Sequence, residues 1–370
     1  MTERCIAVAL GERSYTVHIG AGMLASGRAA EIVARAARGK RVCLVTHPAL
    51  AADYAAPLAA TLQALDLETT TVLIPAGERF KHLNTVARLY REFLNAGMDR
   101  KSLVVAVGGG VLGDMVGFAA ATYLRGIPFV QVPTTLLAQV DASVGGKTGV
   151  DLPQGKNLVG AFHQPAAVVI DTNTLRTLPP RELRSGLSEI IKYGIIYDKA
   201  FLSSVVNDLP SLLKRDMSLL TAVIARSCEI KAEVVGQDET EQGLRAILNF
   251  GHTVGHALEA VTSYRRYKHG EAIAIGMMTA CLLGEEVGVT PPEVTAQLCD
   301  ALQRAHLPTA FPAEIEAEAI LEAAQRDKKT EAGRLRFVLA RQIGDVFLNP
   351  PVPDAAVRAA ISRHKRRSDA

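Results

Sequence analysis

The distribution of apolar and polar residues changes near residue 179 of the chain. Before that point, short apolar and β-branched runs bounded by turn residues alternate with longer segments of helical periodicity. The short runs predict strands at residues 41–46, 70–74, 102–107, 127–132 and 167–170. The periodic segments between them include predicted helices at residues 50–65 and 83–96. Strands that alternate with helices indicate an α/β domain whose mainly parallel sheet is covered on both faces.

After a proline pair at residues 179–180 the pattern becomes helical. Residues 181–287 contain no convincing central strand, and a short strand-like patch follows only at residues 335–340. We therefore predict an α/β nucleotide-binding domain at residues 1–179, an all-α metal- and substrate-binding domain at 180–350, and a C-terminal helix with a basic tail at 351–370.

Composition narrows the class of protein. In a chain of 370 residues, 48% are apolar and 21% charged, which supplies large cores. The net charge of +3 is weak for a nucleic-acid binder. The one dense basic run, residues 363–367, is expected to be a solvated, frayed end, with a nucleic-acid- or partner-binding tail as the alternative.

Cysteine usage and the N-terminal sequence bear on the compartment. The five cysteines are scattered and form no CxxC motif, which favours reduced thiols. Residues 1–17 interleave charged with apolar residues and lack the apolar core of a signal peptide. No run approaches the roughly 18 apolar residues of a membrane span. We expect a cytoplasmic protein that binds neither a membrane nor nucleic acid.

A glycine-rich turn joins the predicted strand at 102–107 to a helix. Gly108, Gly110 and Gly113 satisfy the GxGxxG spacing, which lets a backbone approach a pyrophosphate at a helix N-terminus. A generic glycine-rich turn is the alternative. The next strand ends in Val-Pro-Thr-Thr at 132–135, with no acidic residue for a ribose, so a standard Rossmann unit is not expected.

A second glycine-rich segment, residues 145–148, has the sequence Gly-Gly-Lys-Thr and resembles the end of a P-loop. Asp141 stands where the first glycine of a P-loop is required, so a P-loop nucleotide hydrolase is not expected. Lys147 and Lys156 lie in what read as glycine-rich loops. They are either anion-binding residues or ordinary surface lysines.

The helical half carries a polar stripe. Arg245, Asn249, His252 and His256 are spaced four, three and four residues apart, which on one helix places them on one face. A solvated face would favour Lys and Glu, so the composition indicates a functional stripe, with a solvated face as the alternative.

Metal-ligating residues accompany the stripe. A third histidine, His269, precedes a further apolar helix, and Glu189 shares a helical face with Lys192 at i, i+3. Two histidines, one carboxylate and an open position are typical of a catalytic zinc site. The spacing does not decide which two of the three histidines bind.

Taken together, these motifs resemble the 3-dehydroquinate synthase family over about residues 10–345. The stretches that carry the resemblance are residues 11–15, 75–81, 108–114, 125–126, 132–135, 139–148, 155–157, 178–181, 188–192, 248–256, 269–271 and 327–329. The resemblance implies Zn²⁺ or Co²⁺ on Glu189, His252 and His269, with His256 contacting substrate instead of metal.

The resemblance also implies an NAD site and a substrate site. The implied NAD-binding residues are Glu78, Lys81, Gly109, Gly110, Val111, Leu112, Gly113, Asp114, Thr134, Thr135, Lys147, Lys156, Thr174, Leu175, Arg176 and Thr177. The implied substrate-binding residues are Asp141, Lys147, Asn157, Glu189, Lys192, Lys231, Arg245, Asn249, His256 and Lys328, with Lys329 as the alternative to the last. Arg125 is expected to reach the substrate phosphate of the neighbouring subunit in a homodimer.

The activity that the resemblance implies is the closure of a seven-carbon sugar-acid phosphate into a carbocycle, with loss of phosphate and no net NADH. The alternatives are a sister sugar-phosphate cyclase of the inosose or valiolone type, a metal-dependent polyol dehydrogenase, and a non-catalytic metal- or nucleotide-binding protein. Lys231, Arg245 and His256 favour a substrate that bears a carboxylate over the sister cyclases.

Overall fold

A computed structural model describes residues 3–326, 330–331 and 334–368. The chain divides into two units, Met1–Leu178 with Leu220–Glu239, and Pro179–Leu219 with Thr240–Ala370. The first boundary between the units, Leu178 to Pro179, lies next to the domain boundary predicted at residue 179. Leu220–Glu239, which the sequence pattern placed in the second domain, groups with the first unit.

Seven strands of the first unit form one sheet. The strands of this unit are β1 (Arg4–Val8), β2 (Tyr15–Gly20), β3 (Arg41–Thr46), β4 (Glu68–Leu73), β5 (Leu103–Gly108), β6 (Phe129–Pro133), β7 (Lys147–Leu152), β8 (Gly155–Phe162) and β9 (Ala167–Asp171). The sheet has the order β1-β2-β9-β6-β5-β3-β4, and only β1 runs antiparallel to its neighbour. All five predicted strands are present in it.

Helices make up most of the remaining structure. They are α1 (Arg28–Ala36), α2 (Pro48–Leu50), α3 (Ala56–Ala64), α4 (Leu83–Asn95), α5 (Gly110–Thr122), α6 (Pro180–Ile196), α7 (Lys199–Leu213), α8 (Met217–Gln237), α9 (His252–Val261), α10 (His269–Glu286), α11 (Pro292–Arg304), α12 (Ala317–Arg326) and α13 (Asp354–Ser368). Both predicted helices of the first half are confirmed, since α2 to α3 and α4 cover them.

Strand β3 shows why both faces of the sheet are covered. Val42 and Leu44 pack into one apolar cluster with residues of α1 and α3, whereas Cys43 and Val45 pack into another with residues of α4 and α5. Successive side chains of a strand point to opposite faces, so a continuous apolar run requires helices on each side. The predicted parallel sheet with two covered faces is confirmed.

Strands β7 and β8 form a separate antiparallel hairpin that the sequence did not predict. Gly149 and Gly160 lie opposite each other, and a Cβ added to Gly149 would lie 2.7 Å from the carbonyl oxygen of Val159. The two backbones approach so closely that glycine is required inside both strands. Because glycine is usual in loops, the sequence pattern indicated loops here instead of strands. Lys147 and Lys156 lie in these strands, so their placement in glycine-rich loops was wrong.

The second unit is mainly helical, as predicted. Leu258 of α9, Ile275 of α10 and Ile361 of α13 share a buried apolar cluster that also includes Phe311. Short antiparallel pairs accompany the helices, namely β10 (Thr330–Glu331) with β11 (Arg334–Leu335) and β12 (Val338–Gln342) with β13 (Asp345–Leu348). The predicted strand-like patch corresponds to part of these pairs.

Two findings concern the whole described chain. None of its helices combines the length and apolar composition needed to cross a bilayer. All five cysteines lie in the described part, and each is a free thiol.

The basic run near the C-terminus is not a frayed end. It lies in α13, where His364 is buried and bonds Thr279 Oγ1 at 2.9 Å and the carbonyl oxygen of Thr309 at 2.8 Å. Ile361, one turn earlier, is also buried. The expectation of a frayed end was wrong because it rested on the number of charged residues and overlooked buried positions that repeat at helical spacing, such as Ile361 and His364.

This packing predicts a stability difference between two positions of α13. His364→Ala removes two hydrogen bonds made by a buried side chain and is expected to lower the free energy of unfolding by about 1–3 kcal/mol. Arg366→Ala, at an exposed position of the same helix, is expected to change it by less than about 0.5 kcal/mol. Urea denaturation of both variants measures the difference, and equal, negligible effects would indicate a frayed end after all.

Candidate active site

The glycine-rich turn of the first unit connects β5 to α5. Gly109 is the N-cap of α5 and Gly110 is its first residue. A Cβ added to Gly110 would lie 2.9 Å from the Cβ of Ala142, so a side chain does not fit there without displacement. The N-terminus of a helix favours negative charge. The turn is therefore suited to a pyrophosphate, as the GxGxxG spacing predicted.

A network of charged side chains lies beside α5. The Nζ of Lys81 donates to Asp114 Oδ2 and to Asn157 Oδ1, both at 2.6 Å. Lys156 Nζ lies 3.2 Å from Glu78 Oε1. Five residues that the sequence assigned to NAD or substrate thus take part in neighbouring polar contacts.

Lys81 is held in its charged form. It is only 3% exposed, and burial by itself would lower the pKa of its ammonium group. The carboxylates of Asp114 and Glu78 outweigh that effect and raise the pKa above its ordinary value. The buried cation is consequently a fixed positive charge near the turn.

Apart from Lys147, the other residues predicted for NAD lie after the ends of β6 and β9. Thr134 is buried, and Thr135 Oγ1 accepts a bond from the amide of Ala138 at 3.2 Å. Thr174 to Thr177 lie in and just after a 3-10 helix, Thr172–Arg176. Tyr54 and Thr177 share a hydrogen bond between their hydroxyl groups at 2.8 Å.

Helix α8 brings a lysine into the first unit. Lys231 Nζ donates to the carbonyl oxygen and to Oδ1 of Asp141, both at 2.6 Å. Both residues were predicted to bind substrate, and the structure brings them together.

Two further predicted site residues lie elsewhere in the first unit. Lys147 is the first residue of β7, and Arg125 has a left-handed backbone with φ of 67°.

In the second unit, three helices converge on a cluster of imidazoles and one carboxylate. The ligating atoms of His252, His256 and His269 all lie within 4.8 Å of one another. Glu189 Oε1, from α6, lies 3.8 Å from His252 Nε2 and 3.9 Å from His269 Nε2. Two ligand atoms on one tetrahedral ion lie about 3.4 Å apart, so a contraction of a few tenths of an ångström would accommodate a divalent metal.

The opposite ring nitrogens of two histidines are already engaged. His252 Nδ1 is 3.1 Å from the carbonyl oxygen of Phe250, and His269 Nδ1 is 3.2 Å from Glu259 Oε2. Metal-bound histidines usually donate their second N–H in this way, which fixes the ring and its tautomer. Both Nε2 atoms are thus oriented towards Glu189.

Glu189 supports the same interpretation. Its side chain is completely buried, and Oε1 has no hydrogen-bond partner among the described residues. Lys192 forms an ion pair with Oε2. Leaving a buried carboxylate oxygen without a donor costs about 1–3 kcal/mol or more, and a cation would offset that cost. The donor set and the unpaired oxygen fit a divalent metal.

A hydrogen bond explains how α10 brings its first residue to Glu189. The amide of Gly270 donates to Ser185 Oγ at 2.9 Å. Ser185 lies one turn before Glu189 on α6, so both side chains lie on the same face of that helix. The serine binds the first turn of α10, and the glutamate supplies the carboxylate of the cluster. His269, the residue before Gly270, is positioned accordingly.

The predicted stripe on one helix was wrong. Arg245 and Asn249 lie in a 3-10 helix, Leu244–Asn249, whereas His252 begins α9. Gly251 separates them with φ of 80°, and a Cβ there would lie 2.5 Å from Met277 Cγ. The break results from close packing against α10. Arg245 is buried, and Asn249 donates to Glu241.

Sequence reasoning missed Glu259 and Ser185. Glu259 lies seven residues after His252, so two helical turns place them on one face, and that spacing was the available signal. Ser185 lies four residues before Glu189, but a serine at that position is common without any role. The predicted substrate residue Lys328, and Lys329, lie outside the described residues.

Comparisons with known proteins agree with these features. A family model described as 3-dehydroquinate synthase N-terminal matches residues 71–185, and one described as 3-dehydroquinate synthase C-terminal matches residues 186–330. The 3-dehydroquinate synthase of Gloeobacter violaceus is 49% identical over 96% of this chain and 98% of its own length. That of Nostoc punctiforme is 46% identical over the same shares.

Solved structures of cyclases are also similar. A 2-deoxy-scyllo-inosose synthase complexed with carbaglucose-6-phosphate, NAD⁺ and Co²⁺ matches with a TM-score of 0.87 and 26% identity, over 98% of this chain and 100% of that one. A 2-epi-5-epi-valiolone synthase from Streptomyces hygroscopicus subsp. jinggangensis with NAD⁺ and Zn²⁺ bound matches with a TM-score of 0.86 and 30% identity, over 97% of this chain and 99% of that one. A probable glycerol dehydrogenase from Sinorhizobium meliloti shares the fold. Its TM-score is 0.63 and its sequence identity 18%, over 95% of this chain and 96% of that one.

The break at Gly251 predicts a specific loss of stability. Gly251→Ala is expected to cost the left-handed strain of about 1–2 kcal/mol and, in addition, the clash with Met277. Gly288→Ala is a matched control, because Gly288 also has a positive φ of 72° but no heavy atom within 4 Å of the added Cβ. Denaturant unfolding of both variants tests this, and equal losses would contradict the packing explanation.

Proposed function

The chain belongs to the 3-dehydroquinate synthase family, and we propose that it converts 3-deoxy-D-arabino-heptulosonate 7-phosphate into 3-dehydroquinate and phosphate. The observation that carries this proposal is the cluster of Glu189, His252 and His269, whose carboxylate is completely buried, in a chain that is 44–49% identical to dehydroquinate synthases among its relatives. The two sister cyclases are less similar, at 26% and 30% identity.

We propose that a divalent metal, Zn²⁺ or Co²⁺, is held by Glu189, His252 and His269. The support is the unpaired Oε1 of Glu189, its distance of 3.8–3.9 Å to both Nε2 atoms, and the engagement of both Nδ1 atoms. When bound, such an ion lowers the pKa of a coordinated hydroxyl group and polarises a carbonyl. The protein contributes a fixed ligand geometry in a buried setting.

We propose that NAD binds to the first unit at the turn around Gly110, with the predicted residues around Lys81 and Lys156. The helix N-terminus and the charged Lys81 support binding of a pyrophosphate. When bound, NAD would accept a hydride from the substrate and later return it, so that the cofactor is not consumed. The missing acidic residue after β6 indicates that other groups hold the ribose.

The substrate carries a carboxylate and a phosphate, which suits the cations of the second unit. Arg245 offers a planar fork of donors for bidentate binding of either group, and Lys192 offers a point charge. Both side chains are buried at about 1% exposure, where charge-assisted bonds are strong. Asn249 is proposed to bind substrate hydroxyls. From the first unit, Asp141, Lys147, Asn157 and Lys231 stay predicted substrate residues.

His256 is proposed to move protons. Its ring lies 5.2 Å from that of His252 and 5.8 Å from that of His269, so it belongs to the cluster while remaining partly exposed. Histidine changes protonation near neutral pH, which suits a general acid or base.

We further propose that the enzyme is a cytoplasmic homodimer in which Arg125 reaches the substrate phosphate of the partner subunit. The left-handed backbone at Leu124 and Arg125 presents this segment as a sharp turn before β6. Mixing inactive Arg125→Ala subunits with a second inactive variant, His269→Ala, would restore part of the activity if sites are shared across subunits.

The proposed reaction predicts the outcome of one assay. The purified chain is expected to release phosphate from the heptulosonate phosphate only with NAD and a divalent metal, and to lose that activity when a chelator removes the metal. No NADH should accumulate, because the hydride returns to the product. Steady accumulation of NADH would indicate a polyol dehydrogenase, and faster turnover of a sugar phosphate without a carboxylate would indicate a sister cyclase.

The contact between Glu259 and His269 predicts an effect on metal affinity. Glu259→Gln keeps the shape of the side chain but weakens its hold on the imidazole Nδ1, and is expected to lower metal affinity about 10- to 100-fold. Glu293→Gln, at an exposed position on α11, serves as the control and should leave affinity unchanged. Competition with a chromophoric chelator measures both. Unchanged affinity in Glu259→Gln would show that Glu259 does not position His269.

A further inference from the structure

A second cluster of metal-ligating side chains lies in the first unit, at the edge of the sheet. It consists of Glu3, Cys5 and His18. Cys5 of β1 lies directly opposite His18 of β2 in the antiparallel register. Glu3 lies two residues before Cys5, so its side chain falls on the same face. None of the three belongs to the residues proposed for NAD, substrate or the catalytic metal.

Two of the three distances in this cluster match those between ligands of one ion. Cys5 Sγ lies 3.5 Å from His18 Nδ1 and 3.6 Å from Glu3 Oε1. With usual bond lengths to Zn²⁺, a tetrahedral site places sulfur about 3.6 Å from nitrogen and about 3.6 Å from oxygen. His18 Nδ1 and Glu3 Oε1 lie 2.8 Å apart, against about 3.4 Å in such a site, so this hydrogen bond would open slightly as a metal enters.

Arg28 fixes the carboxylate of this cluster from outside. Its Nε donates to Glu3 Oε2 at 2.8 Å, and Nη1 donates to Glu31 Oε2 at 2.8 Å. Its Nη2 approaches Glu3 Oε1 at the longer distance of 3.4 Å. Carboxylates that bind a metal through one oxygen commonly accept a hydrogen bond on the other. Arg28 thus leaves Oε1 directed towards Cys5 and His18.

We propose that Glu3, Cys5 and His18 form a second divalent-metal site, distinct from the catalytic one and selective for Zn²⁺-like ions. One thiolate, one imidazole and one carboxylate suit Zn²⁺ and Co²⁺ and disfavour Mg²⁺ or Ca²⁺, which prefer oxygen ligands. Cys5 is exposed, so an ion has access and a water molecule completes the fourth position. Because Cys5 and His18 lie on paired strands, the ion would connect β1 to β2.

Sulfur ligation distinguishes this site from the catalytic one. The proposed catalytic ligands are a carboxylate and two imidazoles, so bound Co²⁺ there shows no thiolate-to-cobalt charge-transfer absorption. Titration of the full chain with Co²⁺ is expected to reveal two bound equivalents, one of which develops that absorption. The Cys5→Ser variant should lose the absorption and one equivalent while it retains phosphate release, which also shows that it is folded.

Two further variants complete the test. His18→Ala is expected to weaken the sulfur-containing site at least about 10-fold without affecting the other. Cys299→Ser, which removes another partly accessible thiol, should retain the absorption. The proposal is overturned if the unaltered chain binds one equivalent without sulfur ligation, if the absorption survives Cys5→Ser, or if Cys299→Ser abolishes it.

Discussion

The buried carboxylate of Glu189 is the constraint on which the second unit depends. It is completely buried, and although Lys192 pairs with Oε2, Oε1 has no hydrogen-bond partner among the described residues, which is costly for a buried carboxylate. Two imidazoles approach within 4 Å, and each is fixed from behind by another acceptor. The helices α6, α9 and α10 are arranged so that a cation can offset the cost, and this arrangement is the physical basis of the proposed chemistry.

The first unit holds a buried charge of the opposite sign. Lys81 is nearly as buried as Glu189, and its ammonium group has carboxylate and amide partners at 2.6 Å, so its charge is compensated within the protein. The glycine turn beside it has no room for a side chain at Gly110, and its backbone lies at the N-terminus of α5, where negative charge is favoured. One unit thus presents a preorganised anion-binding turn, and the other presents a set of side chains suited to binding a cation. The family's need for both NAD and a metal corresponds to these two features.

The sequence predicted much of this because the informative patterns were local. The strands around Leu44 and Val105 and the turn at Gly110 follow from periodicity and glycine spacing within one segment. The failures arose where tertiary packing decided the outcome. Gly251 breaks the expected helix because α10 passes too close, and His364 is buried because α13 packs against α10 within the second unit. The spacing from His252 to Glu259 placed both on one face of α9, but the partner of Glu259, His269, lies on α10 and was decided by packing between the helices.

The central claim concerns which atoms bind the metal, and crystallography of the cobalt-loaded protein tests it most directly. An anomalous-scattering peak in the second unit should lie about 2.0–2.2 Å from a carboxylate oxygen of Glu189 and from Nε2 of both His252 and His269. His256 should remain outside the coordination sphere. A peak ligated by His256 in place of either histidine, or no peak beside Glu189, would contradict the account.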